Sequence, residues 1–292
     1  MTPLVSILIP AFDAAPWIET TLASALSQTH PRCEIVVVDD GSRDSTAALA
    51  KAVAHRHPDR LVVASQPNSG ASAARNHALR LARGDFIQYL DADDLLSPRK
   101  IELQLARLTH APKGSVATCR WGRFNANPTA ARFVDTEVFR DFEPLEWLLL
   151  HASKARMMHP ATPRAIVERA GPWDEALSLN DDGEYFARVA LASSGIAFES
   201  DPAASTYYRS GLAGSLSRRR SAAACASLHH TAELLEQHMI ARENSPRVRA
   251  ALADHWRHIC YELYPDAPRL SRDAEARSDA LGGSTVPPPL GG

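Results

Sequence analysis

Over the first hundred residues, runs of apolar, mostly β-branched residues alternate with segments in which apolar residues recur every three or four positions. The runs predict buried strands, and the segments predict amphipathic helices. The predicted strands are 4–9, 34–38, 61–64 and 86–90, and the predicted helices are 16–28, 45–57, 72–82 and 97–110. Strands that are apolar throughout and separated by helices are typical of a parallel sheet covered on both faces. We therefore predict an open α/β fold.

Beyond residue 115 the pattern is less regular. It predicts short strands at 115–121, 197–199 and 205–209, helices at 143–151, 164–170 and 182–194, and two helices between 222 and 264. Within the regular part, Gly84 is expected to end the third helix and Ser97 to cap the fourth. The final residues, 282–292, are rich in glycine and proline, which predicts disorder.

Composition and charge describe an ordinary globular protein. The chain has 292 residues, of which 45% are hydrophobic, and a formal net charge of −2. This charge gives no general reason to bind nucleic acid, so no nucleic-acid partner is predicted. No apolar stretch approaches the roughly 20 residues of a membrane helix, and the four cysteines are widely separated and are predicted to be reduced thiols. We expect a cytoplasmic protein and leave open a peripheral contact with the inner face of the membrane.

Carboxylates follow two of the predicted strands, at Asp39–Asp40 and Asp91–Asp94. Open α/β sheets bind ligands beyond the carboxyl ends of their strands. No strand is followed by a glycine-rich phosphate loop of the GxGxxG or GxxxxGK[ST] type. Carboxylates instead approach phosphate through a divalent cation, or accept hydrogen bonds from ribose hydroxyls or a base N–H. A nucleoside diphosphate with Mg²⁺ or Mn²⁺ meets both requirements.

Each acidic segment also has a purely structural interpretation. The residues at 39–42 and at 91–94 could form turns between a strand and a helix. Asn180 to Asp182 could cap the next helix, and Glu184 with Arg188 could be an ion pair on its surface.

Five segments, in order, resemble the family 2 glycosyltransferases of GT-A fold. They are VSILIPAF, EIVVVDDGSRDST, QPNSGASAARNHAL, GDFIQYLDADDLLSP and LNDDGEYFARV, and the resemblance covers about residues 4–215. It implies transfer of a sugar from a nucleotide-diphospho-sugar, expected to be UDP-linked, to an acceptor hydroxyl with inversion at the anomeric carbon. It also implies a mostly parallel central sheet flanked by helices, and a role in the synthesis of surface polysaccharide or glycoconjugate.

The resemblance assigns roles to individual residues. Asp39 matches the position that hydrogen-bonds the nucleobase. Asp93 matches the metal ligand of the DxD motif, and Asp91 is expected to face the ribose or a metal-bound water. The other nucleotide-binding positions that the resemblance implies are Pro10, Ala11, Phe12, Asn68, Gly70, Arg75 and Ala92.

The catalytic base implied by the resemblance is Asp182, because Arg188 follows six residues later as in the family pattern. Asp181 stands where the family usually has Glu, so the choice between Asp181 and Asp182 stays open. A position at the start of a helix would lower the pKa of Asp182, whereas burial would raise it. The sequence does not decide which effect is larger.

The resemblance also predicts how the chain is divided. Residues 1–215 are expected to form the catalytic domain, with a nucleotide-binding half at 1–110 and an acceptor-side half at 111–215. Residues 216–264 are a predicted helical extension that could pair two chains as a homodimer or contact a membrane, and residues 265–292 a predicted disordered tail. The acceptor could be a saccharide, a lipid-linked molecule or a protein.

Two other functions remain open at this point. One is a non-catalytic module that binds a nucleotide-sugar. The other is a sugar nucleotidyltransferase, which would normally have a glycine-rich basic loop after the first strand, where this chain has Pro10 to Ala15.

Several charged or titratable side chains outside these motifs also have two interpretations. Arg218–Arg220 could be a solvated loop or a lid that reaches the diphosphate. His159 could line the acceptor side or be an ordinary packed or surface histidine. His255 and His258, and several His and Glu positions at 229–238, are interpreted as helix surface rather than a metal site.

Overall fold

The computed structural model describes residues 2–133, 140–151, 160–211 and 221–287, without the side chain of residue 151. His159 and Arg218–Arg220, with the predictions attached to them, lie outside the described residues. The chain divides into two compact units. The first comprises Met1–Phe142, Met157–Glu175 and Ser193–Ala213, and the second comprises Glu143–Arg156, Ala176–Ala192 and Gly214–Gly292.

The described strands, in chain order, are β1 (Val5–Ala11), β2 (Cys33–Asp39), β3 (Leu61–Ser65), β4 (Phe86–Tyr89), β5 (Leu95–Leu96), β6 (Val116–Cys119), β7 (Trp121–Phe124), β8 (Arg132–Phe133), β9 (Thr162–Pro163), β10 (Ile196–Glu199) and β11 (Thr206–Arg209). The described α-helices are α1 (Ile18–Leu26), α2 (Thr46–Arg56), α3 (Ala71–Leu81), α4 (Lys100–Leu108), α5 (Pro144–His151), α6 (Arg164–Ala170), α7 (Asp181–Ala192), α8 (Ala222–Arg242), α9 (Pro246–Leu263) and α10 (Pro268–Ala280). The predicted strands and helices of the first hundred residues are confirmed to within a few residues at their ends.

The main sheet of the first unit has the strand order β3-β2-β1-β4-β9. The strands β1 to β4 pair in parallel, and β9 adds an antiparallel edge. All seven residues of β2 are buried, as are six of the seven in β1. Because both faces of these strands are buried, apolar residues occupy successive positions along them rather than alternate ones. The α/β fold with a mostly parallel sheet is as predicted.

The rest of the first unit contains two smaller sheets. One pairs β6 with β10 in parallel, and the other has the order β5-β11-β7-β8. In the second sheet β11 runs parallel to β7 and antiparallel to β5. Because β5 follows directly after the acidic segment at the end of β4, this pairing ties that segment to β11.

The second unit consists of helices in the part that the structure describes: α5, α7, α8, α9 and α10. Trp256 of α9 is fully buried and packs in a cluster with residues of α8 and α10. The disordered tail predicted from residue 265 is therefore wrong for α10, whose buried Ser271, Ala274 and Ser278 lie on one face at helical spacing. This short buried stripe consists of two serines and an alanine, and the hydrophobic pattern of the sequence therefore did not reveal it. Residues 143–156 and 176–192, which we predicted to belong to the acceptor-side half, lie in this second unit.

Three local predictions are wrong for identifiable reasons. Gly84 does not end α3; its close approach to β1 would put a Cβ only 2.5 Å from Ser6 Oγ. Ser97 does not cap α4, which begins three residues later, and its hydroxyl donates instead to the carbonyl of Ala203. His255 and His229 are buried rather than on the helix surface. In each case a tertiary contact displaced the local role.

No helix among the described residues combines the length and the apolar character that crossing a membrane requires.

A buried lysine lies beneath the main sheet. Lys100, at the start of α4, is fully buried, and its Nζ donates hydrogen bonds of 2.7 Å to Gln88 Oε1 and to Gln104 Oε1. Burial lowers the pKa of Lys100 to about 8. The charged amine therefore opposes folding at neutral pH and opposes it less once it loses its proton.

We predict that this lysine makes stability depend on alkaline pH. Between pH 8 and 10 the unfolded chain binds more protons at this site than the folded chain, so folding is favoured increasingly as pH rises. The free energy of unfolding of the wild type, measured with urea relative to Lys100→Met, should gain about 2 kcal/mol over this range. The exposed Lys51→Met variant should show no such trend against the wild type. Parallel pH curves for wild type and Lys100→Met would contradict the prediction.

Candidate active site

The register of the main sheet brings the predicted site residues of three strands to one edge. Ala11, at the end of β1, lies opposite Asp39, at the end of β2, and Leu8 of β1 lies opposite Tyr89, at the end of β4. Since β2 and β4 flank β1, the two strands lie about 10 Å apart across the sheet, and β2 continues three residues further along β1 than β4 does. Phe12, which follows β1, is 40% exposed at this edge and has the guanidinium of Arg43 over its ring at 5.4 Å.

Asp39 is a buried carboxylate with an oxygen that accepts no hydrogen bond. The residue is 4% exposed; its Oδ2 accepts a long hydrogen bond of 3.4 Å from the N–H of Ser42, and its Oδ1 has no hydrogen-bond partner among the residues that the structure describes. An unsatisfied buried acceptor costs free energy, and native proteins keep few of them. The arrangement suits a ligand that donates an N–H or O–H to Oδ1.

Asp40, next in the chain, has a different task. Its Oδ1 accepts hydrogen bonds from Gln66 Nε2 at 2.8 Å and from the N–H of Ser69 at 2.9 Å, and its Oδ2 accepts one from the N–H of Gly70 at 2.8 Å. The side chain of Asn68 donates to the carbonyl oxygen of Asp40. The loop after β3, which contains the predicted residues Asn68 and Gly70, is thus held at the edge of the sheet by this one carboxylate.

Gly41 allows this loop to come close. Its φ of +72° lies in the left-handed region, and a Cβ at this position would stand 2.8 Å from the backbone nitrogen of Asn68. A larger residue would push the loop away from Asp40.

Arg75, in α3, reaches the first carboxylate of the DxD motif. Its Nη2 lies 2.9 Å from Asp91 Oδ1, and its guanidinium lies over the ring of Trp173 at 4.3 Å. Asn76, the next residue, donates to the carbonyl of Trp173 and accepts from the N–H of Trp173. The tryptophan is therefore fixed by its backbone beneath the arginine.

The two aspartates that follow Ala92 are buried to different degrees. Asp93 is partly buried, and burial, followed by the nearby charge of Asp91, raises the pKa of Asp93 to about 6. Asp94 is fully buried, and burial, together with Asp93 and Asp91, raises the pKa of Asp94 well above its usual value. Ala92 itself is buried, and its carbonyl accepts from Thr21 of α1. The acidic loop, residues 91–94, therefore concentrates negative charge where it is poorly hydrated.

Arg209, at the end of β11, is the second arginine that contacts the acidic loop. Its backbone N–H donates to Asp94 Oδ1 at 2.8 Å, and its Nε donates to the carbonyl of Asp93 at 2.9 Å. The sequence pattern did not indicate this residue. A charged residue at the end of a short strand was its only distinguishing feature in the sequence, and that feature is too common to indicate a site. Asp40, Asn76 and Trp173 were missed for the same reason: each acts through a contact distant in the chain.

The acidic loop fits a divalent cation in its chemistry. It offers only oxygen ligands, which Mg²⁺ and Mn²⁺ prefer. Within the described residues no group of three or more His, Cys, Asp or Glu side chains is arranged to hold an ion alone. A cation at Asp93 would therefore need further oxygen ligands from a bound molecule, as a diphosphate would supply.

In the second unit, Asp182 lies in the first turn of α7, as predicted, and its Oδ1 accepts from the N–H of Gly183 at 2.9 Å. Arg188 makes a bidentate ion pair with Glu184, at 2.6 and 2.8 Å, and Glu184 also lies 3.1 Å from His238 Nε2. Burial raises the pKa of Glu184, but its hydrogen bonds with His238 and Arg188 outweigh burial and lower it. The pair exists, but the carboxylate of Glu184 is buried and not on the surface.

Comparisons with known proteins show the family and the fold to which the chain is similar. The model of the family described as Glycosyl transferase family 2 matches residues 6–159. The relatives include an uncharacterized glycosyltransferase, RT0329, of Rickettsia typhi, which is 29% identical over 66% of this chain and 60% of its own length. They also include the putative teichuronic acid biosynthesis glycosyltransferase TuaG of Bacillus subtilis, 41% identical over 35% of this chain and 41% of its own. The chondroitin synthase of Escherichia coli is 44% identical over 35% of this chain, which spans only 15% of that enzyme.

Solved structures share the fold. The S. aureus TarS fragment 1–349 in complex with UDP-GlcNAc superposes with a TM-score of 0.67 at 17% identity, over 97% of this chain and 93% of the fragment. The mannosyltransferase PcManGT from Pyrobaculum calidifontis, in complex with GDP-Man and Mn²⁺, gives a TM-score of 0.59 at 21% identity, over 97% of this chain and 77% of its own. The GT-A architecture expected from the sequence is thereby confirmed.

We predict that Asp40 stabilises the edge of the sheet. Asp40→Ala removes three hydrogen bonds to a buried carboxylate and should lower the free energy of unfolding by about 2–3 kcal/mol. Urea denaturation measures the effect, and the exposed Asp59→Ala serves as the matched control. Equal stability of the two variants would show that the loop after β3 does not depend on Asp40.

Proposed function

This chain belongs to glycosyltransferase family 2, and we propose that it transfers a sugar from a nucleotide-diphospho-sugar to an acceptor hydroxyl with inversion at the anomeric carbon. Two features at one edge of the sheet carry the proposal. One is the buried Oδ1 of Asp39, which has no hydrogen-bond partner among the described residues, and the other is the acidic loop. The lateral spacing of about 10 Å between β2 and β4 across β1 is comparable with the length of a nucleoside.

In this proposal each end of the nucleotide meets a different strand. The Oδ1 of Asp39 accepts the N–H of the base, uracil in the UDP-linked donor that we favour, and Phe12 offers an exposed ring beside it. Pro10 and Ala11 line the base and ribose from the end of β1. Arg75 holds Asp91, which faces the ribose.

Asp93 would hold the divalent cation, and Asp91 would face the ribose or a water bound to that cation. When bound with the donor, Mg²⁺ or Mn²⁺ supplies electrostatic stabilisation for the charge that gathers on the departing nucleoside diphosphate. Burial and the nearby charge of Asp91 raise the pKa of Asp93, and a bound cation would favour its ionised form.

We propose Asp182 as the base that takes the proton of the acceptor hydroxyl. An inverting displacement needs such a base on the side of the sugar opposite the leaving group. Support comes from the family resemblance and from the position of Asp182 in the first turn of α7. The pairing of Arg188 with Glu184 fixes the second turn of this helix and so supports its start.

The substrate class follows from the relatives. The names of two of them refer to teichuronic acid biosynthesis and to chondroitin synthesis. We therefore propose that this chain acts in the synthesis of a surface polysaccharide or glycoconjugate. Its acceptor would be a saccharide, or a lipid or protein that carries one.

A thermal-shift screen of nucleotide-sugars, with and without Mn²⁺, tests the proposal. A donor that stabilises the protein only with Mn²⁺, followed by release of nucleoside diphosphate on turnover, supports transfer. Release of pyrophosphate would identify a nucleotidyltransferase instead, and binding without any turnover would identify a binding module.

We predict that Asp93→Ala abolishes metal-assisted donor binding. The variant loses the carboxylate that would hold the cation, so Mn²⁺ should no longer increase the thermal shift produced by UDP, while the melting temperature of the protein without ligand changes little. Asp59→Ala should behave as the wild type. A wild-type response to Mn²⁺ in Asp93→Ala would remove the proposed metal ligand.

We predict a different outcome for Asp182→Asn. Since the amide cannot take a proton, transfer should fall by about a hundredfold or more, while the affinity for UDP with Mn²⁺, measured by calorimetry, stays within about twofold of the wild type. Asp181→Asn is the matched comparison and should retain most of its activity. An equal loss of nucleotide binding in Asp182→Asn, or a greater loss of transfer in Asp181→Asn, would contradict the assignment.

A further inference from the structure

A buried arginine, Arg209, holds the backbone of the acidic loop, whereas Arg75 contacts the carboxylate of Asp91. We infer that Arg209 is a positioning residue, which fixes the loop so that Asp93 presents its carboxylate to the divalent cation. The inference rests on the proposed function, because it concerns how the donor and the metal are bound together.

Three hydrogen bonds define the contact. The backbone N–H of Arg209 donates to Asp94 Oδ1 at 2.8 Å, Nε donates to the carbonyl of Asp93 at 2.9 Å, and Nη1 donates to the carbonyl of Asn125 at 2.8 Å. Two consecutive residues of the acidic loop are thereby tied to β11 and to the end of β7. The carbonyl of Asp91 accepts from the N–H of Asp94, which closes the loop into a turn. Asp93 sits inside this turn, so its direction depends on where the turn is held.

The guanidinium has little freedom of its own. It lies 4.3 Å from the ring centre of Trp17 and 4.4 Å from that of Phe124, and the residue is only 5% exposed. Guanidinium groups stack on aromatic rings and donate along fixed directions, whereas an ammonium is a compact charge that does neither. Arg209 therefore holds the carbonyl of Asp93 at a fixed position relative to the two aromatic rings.

Stability alone gives a poor account of this arrangement. Burying a charged group costs free energy that its partners only partly return, and burial lowers the pKa of Arg209 in spite of the neighbouring Asp93 and Asp94. An apolar residue would fill the space between the rings at lower cost. The arginine is explained if the position of the acidic loop, rather than the stability of the fold, is what it serves.

Arg209 and Arg75 have distinct tasks in this account. Arg75 pairs with the carboxylate of Asp91 and so sets its charge and direction. Arg209 contacts the backbone of Asp93 and leaves the carboxylate of that residue available for a cation.

The coupling between metal and nucleotide tests the inference in the full chain. Calorimetry gives the Kd of UDP, or of GDP if the wild type binds it more tightly, with and without Mn²⁺, and the ratio of the two values is the coupling factor. Arg209→Lys keeps the charge but loses the stacking on the two rings and the directed hydrogen bond to the carbonyl of Asp93. We expect its coupling factor to fall about tenfold, with the Kd of the metal-free nucleotide unchanged within about threefold. Arg107→Lys is the matched control, since Arg107 also contacts a carbonyl and a carboxylate, those of Phe198 and Asp141, but not the acidic loop.

The results separate the possible failures. A wild-type coupling factor in Arg209→Lys would overturn the inference while leaving the proposed function intact. An equal loss of affinity with and without Mn²⁺ would also overturn it, because it would show a structural role only. Absence of any Mn²⁺ effect in the wild type would overturn the proposed function and this inference with it.

A second variant covers the case in which Arg209→Lys does not fold. Trp17 is only partly buried, and Trp17→Leu removes one of the two rings that hold the guanidinium. We expect its coupling factor to fall about threefold, again without a change for the metal-free nucleotide. An unchanged coupling factor in Trp17→Leu would contradict the positioning role of Arg209.

Discussion

The site depends on keeping several carboxylates together at the end of a buried strand. Asp91, Asp93 and Asp94 follow β4 within four positions, and burial together with their mutual repulsion raises the pKa of both Asp93 and Asp94. Carboxylates that lie close together at a poorly hydrated site stay ionised only if positive charges lie near them. Among the described residues, Arg75 and Arg209 supply positive charge at this loop, and in the proposed function the metal that accompanies the donor adds more.

The less regular part of the chain beyond residue 115 supplies packing partners for these two arginines. A buried guanidinium needs partners on its faces as well as at its edge, and aromatic rings meet that need. Trp173 lies beneath Arg75, while Trp17 and Phe124 enclose Arg209. The strands β7 and β11 and the segment around Trp173 therefore serve as supports for the charges at the edge of the main sheet.

The sequence predicted the regular part of the fold and the acidic loop because both are local signals. Apolar runs and helical spacing identified β1 to β4 and α1 to α4. The rule that ligands meet strand ends indicated the carboxylates at 39–40 and 91–94, and the family resemblance then selected Asp39, Asp91 and Asp93 among them. The failures occurred where a distant partner took over a residue. Ser6 imposes the glycine at position 84, Ala203 binds the hydroxyl of Ser97, and the small residues of α10 pack although their pattern is too weak to read.

What the sequence by itself determined is the type of architecture and the chemistry at the strand ends: a parallel sheet with carboxylates where a nucleotide would meet it. The tertiary structure alone decided which carboxylate is available to a ligand and which supports the fold. Asp39 and Asp40 are neighbours of the same type, yet Asp39 keeps an oxygen without a partner and Asp40 is committed to three donors. The physical reason is that a hydrogen bond depends on where the loop after β3 comes to lie, and residues nearly thirty positions away determine that.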